Sequence, residues 1–238
     1  MLNPCRRMHC VWVILLTLVA SGCGTPCAEE GVFAYRSDHT TITEHEMNVG
    51  YSIVVEEDDE LNICPGEWTL TSWLISDGVV RVKGAGLGET TLIASGDANV
   101  PALHATGTGG AWISDLTLRG GSGAAGGAFA SYLGDVRLER VRVTDASADV
   151  GGGLYAREDT TMELVDCVVD GNVARTAGGG AVVMDGATLI SEGTNWSGEK
   201  DNEPDDLALL GADGTPVDSI ELDDITSFQC HVEDGVCR

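Results

Sequence analysis

Positive charge is scarce in this sequence. Its 238 residues hold 13 Lys and Arg against 38 Asp and Glu, and two of those cations, Arg6 and Arg7, precede Cys23. Nucleic acid is excluded as a partner, because phosphate binding needs a basic face. Docking on an anionic membrane by charge alone is excluded for the same reason. The apolar run at 11–20 (VWVILLTLVA) is too short for a membrane-spanning helix, which needs about 20 residues. Several enzyme and cofactor motifs are also incomplete. No CxxC pair or Cys/His cluster has zinc spacing. His45-Glu46 is followed by Met47-Asn48-Val49, so HExxH fails, and His39, Glu44, His45 and Glu46 read as a polar surface strand. The glycine run at 84–88 (GAGLG) leads into β-branched residues rather than a helix. It reads as a turn and not as a dinucleotide loop. Ser122, within GGSGA at 120–124, misses the GxSxG elbow.

What is present begins with an export address. Arg6 and Arg7 supply a positive region, the apolar run follows, and Ala20-Ser21-Gly22 leads to Cys23. Small residues before a cysteine resemble the bacterial lipobox. The resemblance implies that 1–22 is a cleaved signal and that Cys23 is acylated. Acyl chains would hold the protein on a lipid bilayer, at about 0.8 kcal/mol per buried CH₂. Gly24 is not Asp, so the analogy places the protein in the outer membrane or at the cell surface of the envelope. Such a compartment preserves disulfides. Cys230 and Cys237, close in sequence, are the expected pair, and the pairing of Cys27 with Cys64 stays open. Cys167 is expected to be free, because it sits in a repeat slot otherwise filled by apolar residues.

That repeat lies at 111–196. ISDLTLRG (113–120), LERVRVTD (138–145), LVDCVVDG (164–171) and ISEGTNWS (190–197) start 25, 26 and 26 residues apart. A fixed period of this size marks a solenoid. Within each copy, apolar residues alternate, pause for two residues and alternate again, which predicts two strands meeting at a corner. Ile113, Leu138, Leu164 and Ile190 align, as do Leu116, Val141, Cys167 and Gly193. Three copies are followed by a glycine knot, Gly126-Gly127, Gly151-Gly152-Gly153 and Gly178-Gly179-Gly180, and a third strand follows each knot, with Ala128/Ala130, Leu154/Ala156 and Ala181/Val183 inward. Phe129, Tyr155 and Val182 then share an outward slot. The last copy weakens to Thr188, Gly193 and Asn195, which suggests the end of the stack. Asp115, Arg140, Asp166 and Glu192 share the corner and read as a salt-linked ladder that fixes register.

Upstream, Leu61-Asn62-Ile63-Cys64-Pro65-Gly66-Glu67-Trp68, then Val80-Arg81-Val82-Lys83-Gly84 and Thr90-Thr91-Leu92-Ile93, resemble the opening coil of pectin-lyase-like parallel β-helices. DGNVA at 170–174 and NEPDDL at 202–207 match segments common in that repeat class. The expected fold is all-β: a right-handed parallel β-helix of about five to six coils with an acidic C-terminal cap. The expected divisions are a signal at 1–22, an N-terminal segment and cap at 23–60, the β-helix at 61–197 and the acidic cap at 198–238. Within the N-terminal segment, 40–43 and 51–55 read as strands and the acidic run 56–60 as a solvated turn. Leu207 to Leu210 and Ile220 to Phe228 are expected to close the open end.

This points to a structural or binding module, with carbohydrate as one ligand class and an envelope protein as another. The resemblance also implies an alternative, a polysaccharide lyase or glycoside hydrolase on the same solenoid. Its basic candidates are Arg119, Arg137, Arg142 and Arg157. The candidate ligand face comprises Phe129, Tyr155, Arg137 and Arg142. No catalytic set and no cofactor follow from the sequence. Calcium is the one ion with candidate ligands, at Asp201, Glu203, Asp205 and Asp206, oxygen donors at short spacing.

Overall fold

The computed structural model describes residues 26–49, 60–70, 74–75, 80–95, 103–105, 109–157, 159–222, 225–232 and 236–238. Cys23, the expected strand at 51–55 and residues 56–59 of the acidic run lie outside the described residues. The fold is a parallel β-solenoid of about five turns, at the lower end of the expected number. An N-terminal cap holds β1 (Val32–Arg36), β2 (Thr41–Thr43) and helix α1 (Glu44–Val49). The first two coils contribute β3 (Glu60–Ile63), β4 (Gly66–Leu70) and β5 (Leu74–Ile75), then β6 (Val80–Lys83), β7 (Thr90–Ala94) and β8 (Leu103–Ala105). The next two contribute β9 (Ala111–Arg119), β10 (Ser122–Ala125) and β11 (Phe129–Ser131), then β12 (Val136–Thr144), β13 (Ser147–Val150) and β14 (Leu154–Ala156). A further coil holds β15 (Thr161–Val165), β16 (Val168–Asp170), β17 (Val173–Ala177) and β18 (Ala181–Met184). The stack ends with β19 (Thr188–Asn195) and β20 (Leu207–Leu210). Three antiparallel strands follow: β21 (Pro216–Ile220), β22 (Ile225–His231) and β23 (Val236–Cys237).

Alternation makes the core. Val80, Ala111, Val136, Met162 and Leu189 form one inward rank, and Val82, Ile113, Leu138, Leu164 and Ser191 the next. Past the corner, Leu116, Val141 and Cys167 form another buried rank, and Leu92, Leu118, Val143 and Val169 a fourth. Full burial of a Leu or Val contributes roughly 1.5–3 kcal/mol, and stacked ranks repeat that gain coil by coil. The corner itself requires one left-handed residue. Asp115 (φ 58°), Arg140 (φ 51°), Asp166 (φ 51°) and Gly193 (φ 61°) supply it in successive coils. For a non-glycine residue this costs roughly 1–2 kcal/mol.

The glycine knots have a steric cause. A Cβ on Gly152 would lie 2.5 Å from the Gly179 carbonyl oxygen, and one on Gly127 would lie 2.3 Å from the Gly152 oxygen. Adjacent coils touch backbone to backbone there. Beside this column runs a buried asparagine ladder. Asn172 Nδ2 donates to the Val143 carbonyl, and its Oδ1 accepts from the Ala146 amide. Asn202 repeats the role one coil on, donating to the carbonyls of Val169 and Trp196 and to Asp206 Oδ1. Asp206 Oδ2 accepts from the Leu222 amide. The 202–207 segment thus leads from β19 to β20 within the stack, and Asp206 ties it to the cap through Leu222.

Each end of the solenoid is closed by antiparallel strands and a disulfide. β1 pairs antiparallel with β3, and Cys27–Cys64 joins this cap to the first coil. At the other end β22 pairs antiparallel with β19, and Cys230–Cys237 joins β22 to β23. Cys167 is free and buried, as expected, and burial pushes its thiol up to about 11. Residues 44–46 are not strand but the start of α1. Thr43 and Glu46 explain this: the Glu46 amide donates to Thr43 Oγ1 and the Thr43 amide donates to Glu46 Oε2, a capping box that starts a helix.

Two registers differ from the sequence alignment. Ala148 pairs with Ala174, but Val150 pairs with Ala177, so Arg175 and Thr176 carry an extra residue in β17. Ala181 and Val183 still face Leu154 and Ala156 as expected, but the alignment of β19 shifts by one. Met162 faces Leu189 rather than Thr188, and the last coil buries Leu189, Ser191, Thr194 and Trp196. That coil is therefore not weakened. Likewise Phe129 pairs with Leu154, not Tyr155, and is wholly buried in the core. The outward rank is Ala130, Tyr155 and Val182. Parallel pairing also continues past 197, because β20 adds to β18; the antiparallel cap begins only at β21.

Candidate functional site

The corner divides the outer face of the longest sheet into two planes, and it separates two of the expected site residues. Arg137 lies before the corner and Arg142 after it. Arg142 belongs to a polar cleft of about 490 Å³. Glu67, Thr91, Thr117, Arg142 and Val168 hold one register position on five successive strands. At about 4.8 Å per strand the floor is roughly 19 Å long. Thr144 extends this floor and Arg119 reaches along it, donating to Glu67 Oε1 at 2.8 Å.

The walls come from outside the repeat. Lys83 pairs with Ser114 and Thr91 with Thr117, so 84–90 spans the corner that Asp115 and Leu116 span one coil later, with five residues to spare. The excess forms a tight turn in which the amides of Glu89 and Thr90 both donate to the Gly86 carbonyl. It presents Leu87, 45% exposed, to the cleft. Gly88 permits the turn with φ 78°. The opposite wall is Glu199–Lys200, from the segment that leaves the last coil. Lys200 Nζ lies 2.6 Å from Asp145 Oδ1, and the Lys200 carbonyl accepts from the Gly171 amide.

Beneath this wall sits Asp170, whose side chain is 1% exposed. It receives Nε and Nη2 of Arg142 at 3.1 and 2.7 Å and the Glu199 amide at 2.8 Å. Burial pushes its carboxyl up, but the Arg142 guanidinium and the Glu199 amide outweigh burial and hold it below the ordinary value. Glu199 also meets Arg142, at 3.2 Å. The cations and carboxylates of the cleft are thus paired with one another. It offers threonine hydroxyls, guanidinium donors and carboxylate acceptors, with an apolar contact only at Leu87 and Val168.

The other plane carries Arg137. Its guanidinium pairs with Glu139 at 3.4 Å and with Glu163 of the next coil at 2.5 Å. It also lies over the indole of Trp112, 5.8 Å from the ring centroid. The corner ladder is present but shorter than expected. Arg140 meets Asp115 through two hydrogen bonds of 2.6 and 3.0 Å, and its second partner is Glu139 of its own coil, not Asp166. The Arg140 hydrogen bonds hold Asp115 below the ordinary carboxylate value.

The remaining candidates separate. Phe129 is core. Tyr155 faces outward but is only 9% exposed, lying against Tyr132 with ring centroids 6.1 Å apart, inside an apolar inner corner with Val182 and Leu210. Of the four expected calcium ligands, Asp201 and Asp206 come together, joined by Glu221 from the cap, with carboxylate oxygens within 4.8 Å of one another. Glu203 and Asp205 are not in that group; the Glu203 backbone instead bridges to Val173. Leu87, Lys200 and Trp112 were missed by sequence reasoning. The five-residue excess over the next corner was the available signal for Leu87, since insertions in a repeat array map to loops on one face. Among the described residues no helix is long and apolar enough to cross a membrane. In comparisons with known proteins, no family model, no curated protein and no solved structure matched the chain.

Proposed function

We propose that this chain is an exported, lipid-anchored envelope protein that binds saccharide in the cleft between the 84–89 turn and Glu199–Lys200. The cleft carries this reading, because both of its walls depart from a repeat that is otherwise regular. Each wall keeps a backbone bond to a neighbouring coil, from the Gly66 amide to the Glu89 carbonyl and from the Gly171 amide to the Lys200 carbonyl, but a repeat does not need the extra residues to stack. A ligand site does, since walls remove a bound molecule from water and fix its position. The alternation of hydroxyl, guanidinium and carboxylate groups suits a polyhydroxylated ligand, which both donates and accepts. The carboxylates at the surface of the cleft are committed to cations, an arrangement suited to holding hydroxyls rather than to moving protons. The lipobox-like Ala20-Ser21-Gly22-Cys23 supports the anchor, and the pectin-lyase-like opening coil is in keeping with a carbohydrate ligand.

A glycan array probed with the full-length protein tests the reading, followed by calorimetry on each hit. Binding that weakens on Arg142→Gln supports it. Release of unsaturated products or reducing ends, lost on the same substitution, would replace binding by catalysis. Mass spectrometry of the mature N-terminus tests the anchor, and an unmodified Cys23 would refute it.

A further inference from the structure

Across the corner from the saccharide cleft lies a second hollow of about 190 Å³, lined by Arg81, Lys83, Trp112, Ser114, Asp115 and Arg140 together with Glu60. Cations on this sheet are otherwise matched. Arg119, Arg137, Arg140 and Arg142 each hold a carboxylate. Arg81 and Lys83 carry no ion pair among the described residues, in a chain where acids outnumber cations 38 to 13. The two stand on one face of β6, which exposes Arg81 and Lys83 and buries Val80 and Val82.

Arg81 is also fixed in place. Its guanidinium lies over the Trp112 ring, 5.5 Å from the centroid, and Arg137 approaches the same ring from the strand on the other side. Stacking on an indole restrains a guanidinium while leaving its N–H groups free. Trp112 itself is 40% exposed. The hollow holds two acids, and neither forms an ion pair with Arg81 or Lys83: Glu60, opposite Arg81 in the register, accepts from Asn62 Nδ2, and Asp115, which feels the charge of Lys83, is taken by the two hydrogen bonds from Arg140. Ser114, opposite Lys83 in the register, adds a hydroxyl.

We infer that Arg81, Lys83 and the edge of Trp112 form a receptor for an oxyanion, a phosphate or sulfate group, at a site distinct from the saccharide cleft. A planar guanidinium gives two parallel donors to such a group, and Lys83 adds a point charge. The site does not depend on the saccharide reading.

The test uses full-length protein at low ionic strength, titrated with inorganic phosphate. The readout is the Trp112 indole N–H resonance, assigned with Trp112→Phe. A saturable shift is expected. Arg81→Gln weakens binding about tenfold or more, the effect of losing a charged hydrogen-bond pair, and Lys83→Gln weakens it less. Arg119→Gln, in the other cleft, leaves it unchanged. Tighter binding of a sugar phosphate identifies a glycan-borne group and equal binding a free anion; either supports the site. A shift that never saturates, or one that survives Arg81→Gln at full affinity, overturns it. Both substituted positions are exposed, and matching thermal melts check that the variants fold.

Discussion

β9 and β12 pair along nearly their whole length, from Ala111–Val136 to Arg119–Thr144, without a shift of register. The 84–89 turn and the segment leading to Lys200 do the opposite. The first interrupts a corner with extra residues, and the second leaves the stack between β19 and β20. The paired strands bury Ile113, Leu116, Leu118, Leu138, Val141 and Val143 completely. The two irregular segments bury little, with Leu87 exposed, yet they wall the cleft. Regularity in this molecule supplies the core and irregularity shapes the candidate site. Substitutions in the two regions should therefore fail in different ways.

The largest expected effect is at Gly152→Ala. Its Cβ would meet the Gly179 oxygen at 2.5 Å and the Val173 backbone at 2.6 Å, with no flexible side chain to yield. Coil stacking should be lost, at roughly 3 kcal/mol or more, read as a collapse of the urea midpoint. Gly88→Ala in the turn meets nothing within 4 Å and pays only for φ 78°, roughly 1 kcal/mol. Equal losses at the two glycines would break the comparison. Next comes Leu138→Ala, a wholly buried position in the paired strands, expected to cost about 2–5 kcal/mol. Leu87→Ala should leave the melting temperature unchanged and weaken ligand binding instead.

Acid comes third. Asp115 and Asp170 are both held below the ordinary carboxylate value. A carboxylate whose folded value is depressed stabilises fully above its unfolded value, about 4. That contribution is lost as pH falls through the folded value. Stability should therefore decline below about pH 4, and Asp170→Ala should flatten the decline. A decline of unchanged slope in that variant would remove Asp170 from the account. The smallest expected effect is at Arg140→Gln. Its guanidinium is half exposed, and such pairs contribute only about 0–1 kcal/mol. A larger loss would mean that the corner, not the core, sets register.

Much of the paired region was legible in the sequence. Alternation about a two-residue corner gave the inward ranks through Leu164 and Val169, and Cys167 showed as core because its slot is apolar in other coils. The extra residue at Arg175–Thr176 was not legible, since a bulge leaves the pattern of apolar residues intact and only displaces the alignment of β19 by one. Phe129 was misplaced because its ring was matched to the Tyr155 ring. The left-handed glycines, Gly126 and Gly151, give the true register. The site was the least legible part. Its floor is threonine and paired charge, which resemble any polar surface, and its partners meet only after folding, as Arg142 and Asp170 do at 2.7 Å. Glu221 joins Asp201 and Asp206 across the cap, which no local spacing could show.

One variant tests the division most directly. Deleting residues 85–89 leaves Gly84 and Thr90 between Lys83 and Thr91, the corner length of the following coil. The measurement is saccharide affinity by calorimetry beside the urea midpoint of the same sample. The account predicts a midpoint close to that of the unaltered chain and loss of binding. Retained binding with a lowered midpoint would contradict it.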